Sequence, residues 1–321
     1  MKILLYEHVT GGGGWQDDPF RPPSGPLLTE GRAMVQAIAA DLAAIEGVEV
    51  CTSRDSRLPE LHPAGCSVMA LDSDSATREW LQQSCTAADW TLLIAPETGG
   101  SLLARCQLVE AAGGRLLSPS SAVVEIAGDK QTTAELLESK GIPVPRGCVI
   151  NSAEELAAQT ARLPAVIKPR VGCGSVGVRV LKSNPDLASL GISKPQRLEE
   201  YVPGLAASVS VLAGPKGLVS LPACGQRLSQ DGLYTYLGGR LPLSEALSAR
   251  ARRLAEAAVS ALPPATGYLG VDVILGAAGN GDRVIEINPR LTTSYVGLRA
   301  FAKCNLAAAM LAVAEGREPD L

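Results

Sequence analysis

The sequence predicts an α/β protein: a small doubly wound parallel unit over residues 1–118, followed by a second unit of mixed type. Three observations predict it. Apolar strands alternate with amphipathic helices up to about residue 118, the pattern of a parallel sheet with helical crossovers. Beyond Asp129 the strands bunch together, with fewer helices between them. The chain has 321 residues, 46% of them hydrophobic, which is enough for two or three packed units.

In order, "KILLYE" (2–7) reads as the first strand. The glycine block Gly11–Gly14 follows. It lacks the lysine of a phosphate-binding P-loop, since Trp15-Gln16-Asp17-Asp18-Pro19 comes next. Pro19, Pro22, Pro23 and Pro26 postpone the helix that a dinucleotide fingerprint needs at once. The block therefore reads as a surface loop, or else as a loop at the carboxyl end of strand one that helps enclose a substrate. A helix is expected over residues 31–45, with Thr29 able to cap it. Strands are expected at 48–51, 67–71, 90–96 and 115–119, and helices at about 75–86 and 101–112.

In the second unit, Asp129-Lys130 begins a helix that Gly141 and Pro143 stop. A strand near 147–150 and a helix near 152–162 follow, then strands at 165–169, 176–181 and 196–202. Strands from Ser208, a helix over 244–261, the strand pair "GYLGVDVILG" and "RVIEINP", and helices over 294–315 complete the chain.

Composition narrows the function. The formal net charge is -4 and no basic run is interleaved with aromatics, so neither nucleic acid nor an anionic membrane is an expected partner. Any anionic ligand must be held by a local cluster of cations. The 8 Cys contain no CxxC pair, and only His8 and His62 could join them at a metal. Scattered thiols read as small core residues of a reducing compartment. No apolar leader or membrane-length run is present, so a cytoplasmic protein is expected.

Three stretches carry chemistry. In "VIKPRVGCGSVGVRV" an apolar strand delivers Lys168, and Gly172, Gly174 and Gly177 surround Ser175. Glycines let backbone amides approach a bulky anion, and a lysine at a strand end supplies a directed charge. The bland reading is a loose hairpin. "LEEYVPG" (198–204) suits a hinge whose backbone could read an adenine edge, although an ordinary strand terminus explains it alone. In "GVDVILGAAGNGDRVIEINPR", Glu286 and Asn288 share a strand face, and a hairpin can bring Asp272 beside them. Two carboxylates and an amide oxygen form a hard-oxygen set suited to Mg²⁺. The bland reading is a solvated polar face.

Taken together, Asp129-Lys130, "IKPRVGCGSVGV", "LEEYVPG", Asp272 and "EINPR" resemble the ATP-grasp superfamily of carboxylate–amine ligases. Within it, "EG" at 30–31, "APE" at 95–97 and "EINPRLTTSYVG" are most similar to the tyramine–glutamate ligase group of methanofuran-type cofactor biosynthesis. The resemblance implies two α+β lobes clasping ATP, residues 119–203 and 204–321, behind a pre-ATP-grasp domain over 1–118. It implies that Lys130 and Lys168 hold the ATP phosphates and that Gly172, Gly174, Ser175 and Gly177 form a lid. Glu199, Glu200 and Val202 would meet adenine. Asp272, Glu286 and Asn288 would bind Mg²⁺, with Mn²⁺ an alternative, and Arg290 would steady the transferring phosphoryl group.

The implied reaction is amide formation through an acyl phosphate, with glutamate as the acid and a tyramine- or tyrosine-like amine. Arg227 or Arg299 would hold the acid's other carboxylate, and residues 226–239 and 292–295 would face the acceptor. A homodimer is common for such folds. Two departures stand out: Ala206 replaces an acid that often holds ribose, and Gly270 replaces an arginine found in some relatives. The alternatives are a polyglutamate or dipeptide ligase, a regulator that binds nucleotide without turnover, and a dinucleotide-binding module in residues 1–118.

Overall fold

The computed structural model describes all residues except 61–62, 160–162, 183–189, 191 and 278–280. His62 and the end of the helix expected at 152–162 lie outside the described residues. Strands β1 (Lys2–Glu7), β2 (Glu49–Asp55), β3 (Cys66–Leu71) and β4 (Trp90–Ile94) form a parallel sheet in the order β3-β2-β1-β4. The short helix α1 (Gly14–Asp17) leads to α2 (Pro26–Ala43), with α3 (Asp74–Ala87) and α4 (Ser101–Ala111) completing this part. Alternate residues of β1 face opposite sides. Ile3 and Leu5 pack with Val35, Ile38 and Leu42 of α2, while Leu4 and Tyr6 pack with Leu81 of α3 and Leu102 of α4. Helices thus cover both faces of the sheet. Instead of a strand at 115–119, an isolated parallel bridge joins Leu116 to Thr91.

α2 starts five residues before the expected position. Pro26 occupies its first turn, where the missing N–H has no helical partner to lose. The glycine block also differs from both readings of it. Gly11, Gly12 and Gly13 are buried. A Cβ on Gly11 would collide with the Glu7 carbonyl, and one on Gly13 with the His8 ring. The block is therefore a close-packed turn.

Helices α5 (Ser121–Ala127) and α6 (Lys130–Ser139) lead into the second part. Asp129 caps α6 through the Gln131 and Thr132 amides. Strands β5 (Gly147–Ile150), β6 (Ala165–Pro169), β7 (Arg179–Leu181) and β8 (Gln196–Glu200), with helix α7 (Ala153–Ala157), form an antiparallel sheet of order β5-β8-β6-β7. The remaining strands are β9 (Leu205–Gly214), β10 (Gly217–Ser220), β11 (Cys224–Leu228), β12 (Tyr236–Arg240), β13 (Gly267–Leu275) and β14 (Arg283–Asn288). They form a sheet ordered β12-β11-β9-β13-β14, with β10 on β9. Helix α8 (Glu245–Ser260) buries Ala251, Ala255 and Ala258 with the apolar side chains of β9 and β13.

Helices α9 (Ser294–Phe301) and α10 (Leu306–Ala314) pack against the opposite face and against α2. Asp41 of α2 pairs with Arg299 at 2.5 Å, accepts from the Tyr295 hydroxyl at 2.6 Å, and its carbonyl accepts from Asn305. This anchor fixes the parallel sheet against the large antiparallel one. Among the described residues, no single helix is long and apolar enough to cross a membrane. All eight cysteines are free thiols.

Candidate active site

A cavity of about 650 Å³ lies between the two antiparallel sheets. Its lining includes Lys130, Lys168, Gly172, Gly174, Ser175, Glu199, Glu200, Val202, Asp272, Glu286, Asn288 and Arg290. Gly177 is not on the wall. With φ +79 it turns the loop beneath Pro169, whose Cγ lies 3.0 Å from the position of an added Cβ.

Register explains the acidic cluster. In the β13–β14 ladder Asp272 stands opposite Glu286 and Gly270 opposite Asn288, and the register then shifts so that Val273 faces Val284. Ile285 is the residue left over in this bulge. It lines the cavity instead of joining the core as Ile287 does. Its carbonyl accepts from Lys168 Nζ at 3.3 Å. Lys168 is buried and needs a counter-charge, which Glu199 Oε1 supplies at 2.6 Å. Arg197 Nε lies 3.0 Å from the other oxygen of Glu199. The Glu199 side chain thus anchors a lysine, a role separate from adenine contact. Lys130 Nζ donates to the Gly172 carbonyl at 2.7 Å and lies 3.4 Å from Glu286 Oε2, linking the glycine loop to the acidic pair.

Asp272 and Glu286 titrate very differently. Burial and the adjacent Glu286 charge push Asp272 up to about 7. Burial also opposes ionisation of Glu286, but the Lys130 and Lys168 charges hold its carboxyl below the ordinary value. Asp272 accepts from Gln226 Nε2 at 2.9 Å and from Asn288 Nδ2 at 3.3 Å. Gln226 arrives from β11, and Ser208, opposite Asp272 on β9, lines the same cavity. Neither residue stood out as a partner of Asp272 in the sequence, where the signal is only a polar residue in an apolar strand.

Arg290 lies past the end of β14 and does not continue its face. It reaches back 193 residues to Glu97, with Nε–Oε1 3.0 Å and Nη2–Oε2 3.3 Å. Burial works against its charge, and the Glu97 carboxylate, with smaller contributions from Cys173 and Glu286, more than compensates. The two arginines expected to hold a substrate carboxylate are elsewhere. Arg299 is tied to Asp41, and Arg227 is exposed; neither lines the cavity. Within 226–239 and 292–295, Gln226, Tyr234, Tyr236, Thr292, Thr293 and Ser294 line it, whereas Tyr295 is buried on Asp41. Gly11–Gly14 contributes nothing to its wall.

Comparison with known proteins fits this geometry. A protein-family model described as an ATP-grasp domain matches residues 127–294, more than half the chain. The chain belongs to the ATP-grasp family. A second model, the pre ATP-grasp 3 domain, matches residues 48–124. This ATP-grasp protein is 24% identical over 299 residues to tyramine–L-glutamate ligase of Methanocaldococcus fervens, covering 92% of the chain and 89% of the relative. Its fold is similar to that of an ATP-grasp superfamily protein from Archaeoglobus fulgidus, with TM-score 0.72, 22% identity and coverage of 100% and 89%. It is also similar to the ADP complex of N5-carboxyaminoimidazole ribonucleotide synthetase, with TM-score 0.76, 18% identity and coverage of 100% and 79%.

ATP-grasp enzymes use ATP with a divalent metal, and the residues present fit such an ion. Two half-buried carboxylates face each other, and Asp272 is pushed up by desolvation and by the Glu286 charge, a repulsion that a cation would relieve. Among the described residues, no three His, Cys, Asp or Glu side chains gather as a metal cluster. The set is instead two carboxylates and the Asn288 amide, a sparse oxygen shell suited to an ion that also takes phosphate oxygens.

Proposed function

We propose that this protein is an ATP-dependent carboxylate–amine ligase that joins the side-chain carboxyl of glutamate to a tyramine-like amine. The observation that carries the reading is the opposed Asp272–Glu286 pair, with Asn288, in a cavity that also holds Lys130 and Lys168. The named relative in Methanocaldococcus fervens supplies the substrate pair. A carboxylate oxygen attacks the γ-phosphorus of ATP, ADP leaves, and the amine displaces phosphate from the acyl phosphate.

In this reading Lys130 and Lys168 neutralise the phosphates, and Arg290, fixed by Glu97, meets the transferring group. The loop carrying Gly172, Gly174 and Ser175 excludes water that would hydrolyse the acyl phosphate. Gly177 gives that loop its turn. The backbone near Glu199, Glu200 and Val202 meets adenine. Asp272, Glu286 and Asn288 would hold Mg²⁺ or Mn²⁺, which supplies charge neutralisation when bound. A cytoplasmic setting suits the eight free thiols.

ADP release measured with glutamate, tyramine and a panel of other acids and amines tests this directly. Glu286→Gln should lower ADP formation by about 1,000-fold or more, with an unchanged circular dichroism spectrum. Near-normal turnover in that variant would refute the metal assignment, and silence of the native protein across the panel would refute the ligase reading.

A further inference from the structure

Of the acids on the parallel-sheet side, Glu30 lines the cavity, whereas Glu7 and Glu97 lie behind its wall. Glu7, Glu30 and Glu97 all lie within electrostatic reach of the single Arg290 guanidinium. Two of these acids are already engaged. Glu97 makes the two-point pair with Arg290. Glu7 is buried and accepts from the Val9 amide at 3.2 Å, the Thr10 amide at 2.7 Å and the Thr10 hydroxyl at 2.6 Å.

Glu30 is different. It is half-buried, lines the cavity, and makes no hydrogen bond or ion pair with any described residue. Its position is set by its neighbour. A Cβ on Gly31 would lie 2.8 Å from the Glu7 carboxylate, so only glycine lets α2 approach this closely and present Glu30 to the cavity. The Tyr236 hydroxyl lies within electrostatic reach of Glu30, and Thr292, Thr293 and Ser294 line the same cavity. The Arg290 guanidinium is held by Glu97, so the Glu30 carboxylate on the cavity wall offers its acceptors to an ammonium group. Among the described residues, Arg290 is the one arginine that lines the cavity, and Arg227 and Arg299 lie outside it. The matched family models start at residue 48, so neither assigns Glu30.

We propose that Glu30 is a specificity-determining residue that binds an ammonium group of the substrate in the cavity that also holds Lys130 and Lys168. This rests on the ligase reading above and adds the chemistry by which the substrate is chosen. Two sources share that chemistry: the α-ammonium of the acid to be activated, and the incoming amine before it loses its proton.

Calorimetric titration of the protein loaded with a non-hydrolysable ATP analogue tests it without turnover. L-Glutamate is compared with glutarate, and tyramine with 4-ethylphenol; within each pair only the ammonium differs. The native protein should bind one ammonium-bearing compound at least tenfold more tightly than its counterpart. Glu30→Gln should abolish that preference while the Kd for the nucleotide stays within twofold. The pair that shows the preference identifies the source. A native protein that does not discriminate within either pair, or a preference that survives in Glu30→Gln, overturns the proposal. Ammonium-selective binding without ADP release from any acid and amine would instead refute the ligase reading and leave the subsite standing.

Discussion

In the loop after β1, Gly11, Gly12 and Gly13 are buried, and added Cβ atoms would strike the Glu7 carbonyl, the Thr77 hydroxyl and the His8 ring. In the loop between β6 and β7, Gly174 has nothing within 4 Å of such a Cβ, its φ is +68, and it lines the cavity. The first loop uses glycine because there is no room for a side chain. The second uses it for backbone freedom around a space large enough for a ligand. Glycine content alone therefore does not identify a phosphate loop. What separates the two is the cation geometry: Lys130 donates to the Gly172 carbonyl, whereas Arg57, beside the first block, donates to the Asp18 and Arg21 carbonyls beyond it.

Three measurements would break or sharpen this contrast. The largest effect should come from Gly13→Ala. Its backbone is ordinary, at φ -65, so the cost is steric collision with a buried ring, about 3 kcal/mol from overpacking. Denaturant melts should show that loss, while nucleotide affinity of the folded protein stays native. A melt within about 0.5 kcal/mol of native would mean that the loop yields freely.

The ring beneath Gly13 gives a second test. Burial, aided by the Arg105 charge, lowers the pKa of His8 to about 4 from an ordinary 6.5. Between these values the unfolded chain binds a proton that the native state refuses. The contribution is therefore complete above pH 6.5 and is lost as pH falls toward 4, by about 3 kcal/mol in all. The slope of unfolding free energy between pH 7 and 4.5 should be flatter in His8→Gln than in the native protein. Equal slopes would mean that His8 is not buried in its neutral form.

Gly174→Ala should have the smallest effect on stability. Its left-handed backbone costs about 1 kcal/mol with alanine, and the surrounding space is open. ADP release should nonetheless fall by roughly tenfold, since in the proposed reading this loop closes over phosphate. Reversed ranks, with Gly174→Ala unfolding the protein and Gly13→Ala slowing only turnover, would exchange the two roles.

Much of the site follows from local pattern. The two-residue spacing of Glu286 and Asn288, the turn that returns β14 beside Asp272, and Lys168 at the end of an apolar strand all depend on strand period and turn chemistry, which short stretches encode. The alternation of strands and helices before residue 118 likewise specified a parallel sheet with helices on both faces. Tertiary packing alone decided which distant charges meet. Glu97 takes Arg290, Asp41 takes Arg299, Gln226 reaches Asp272, and Glu30 stands beside the cavity with no hydrogen-bond or ion-pair partner among the described residues. Such pairings join residues tens to hundreds of positions apart. No periodicity or spacing encodes them, because each depends on how whole sheets and helices stack once their apolar faces are buried.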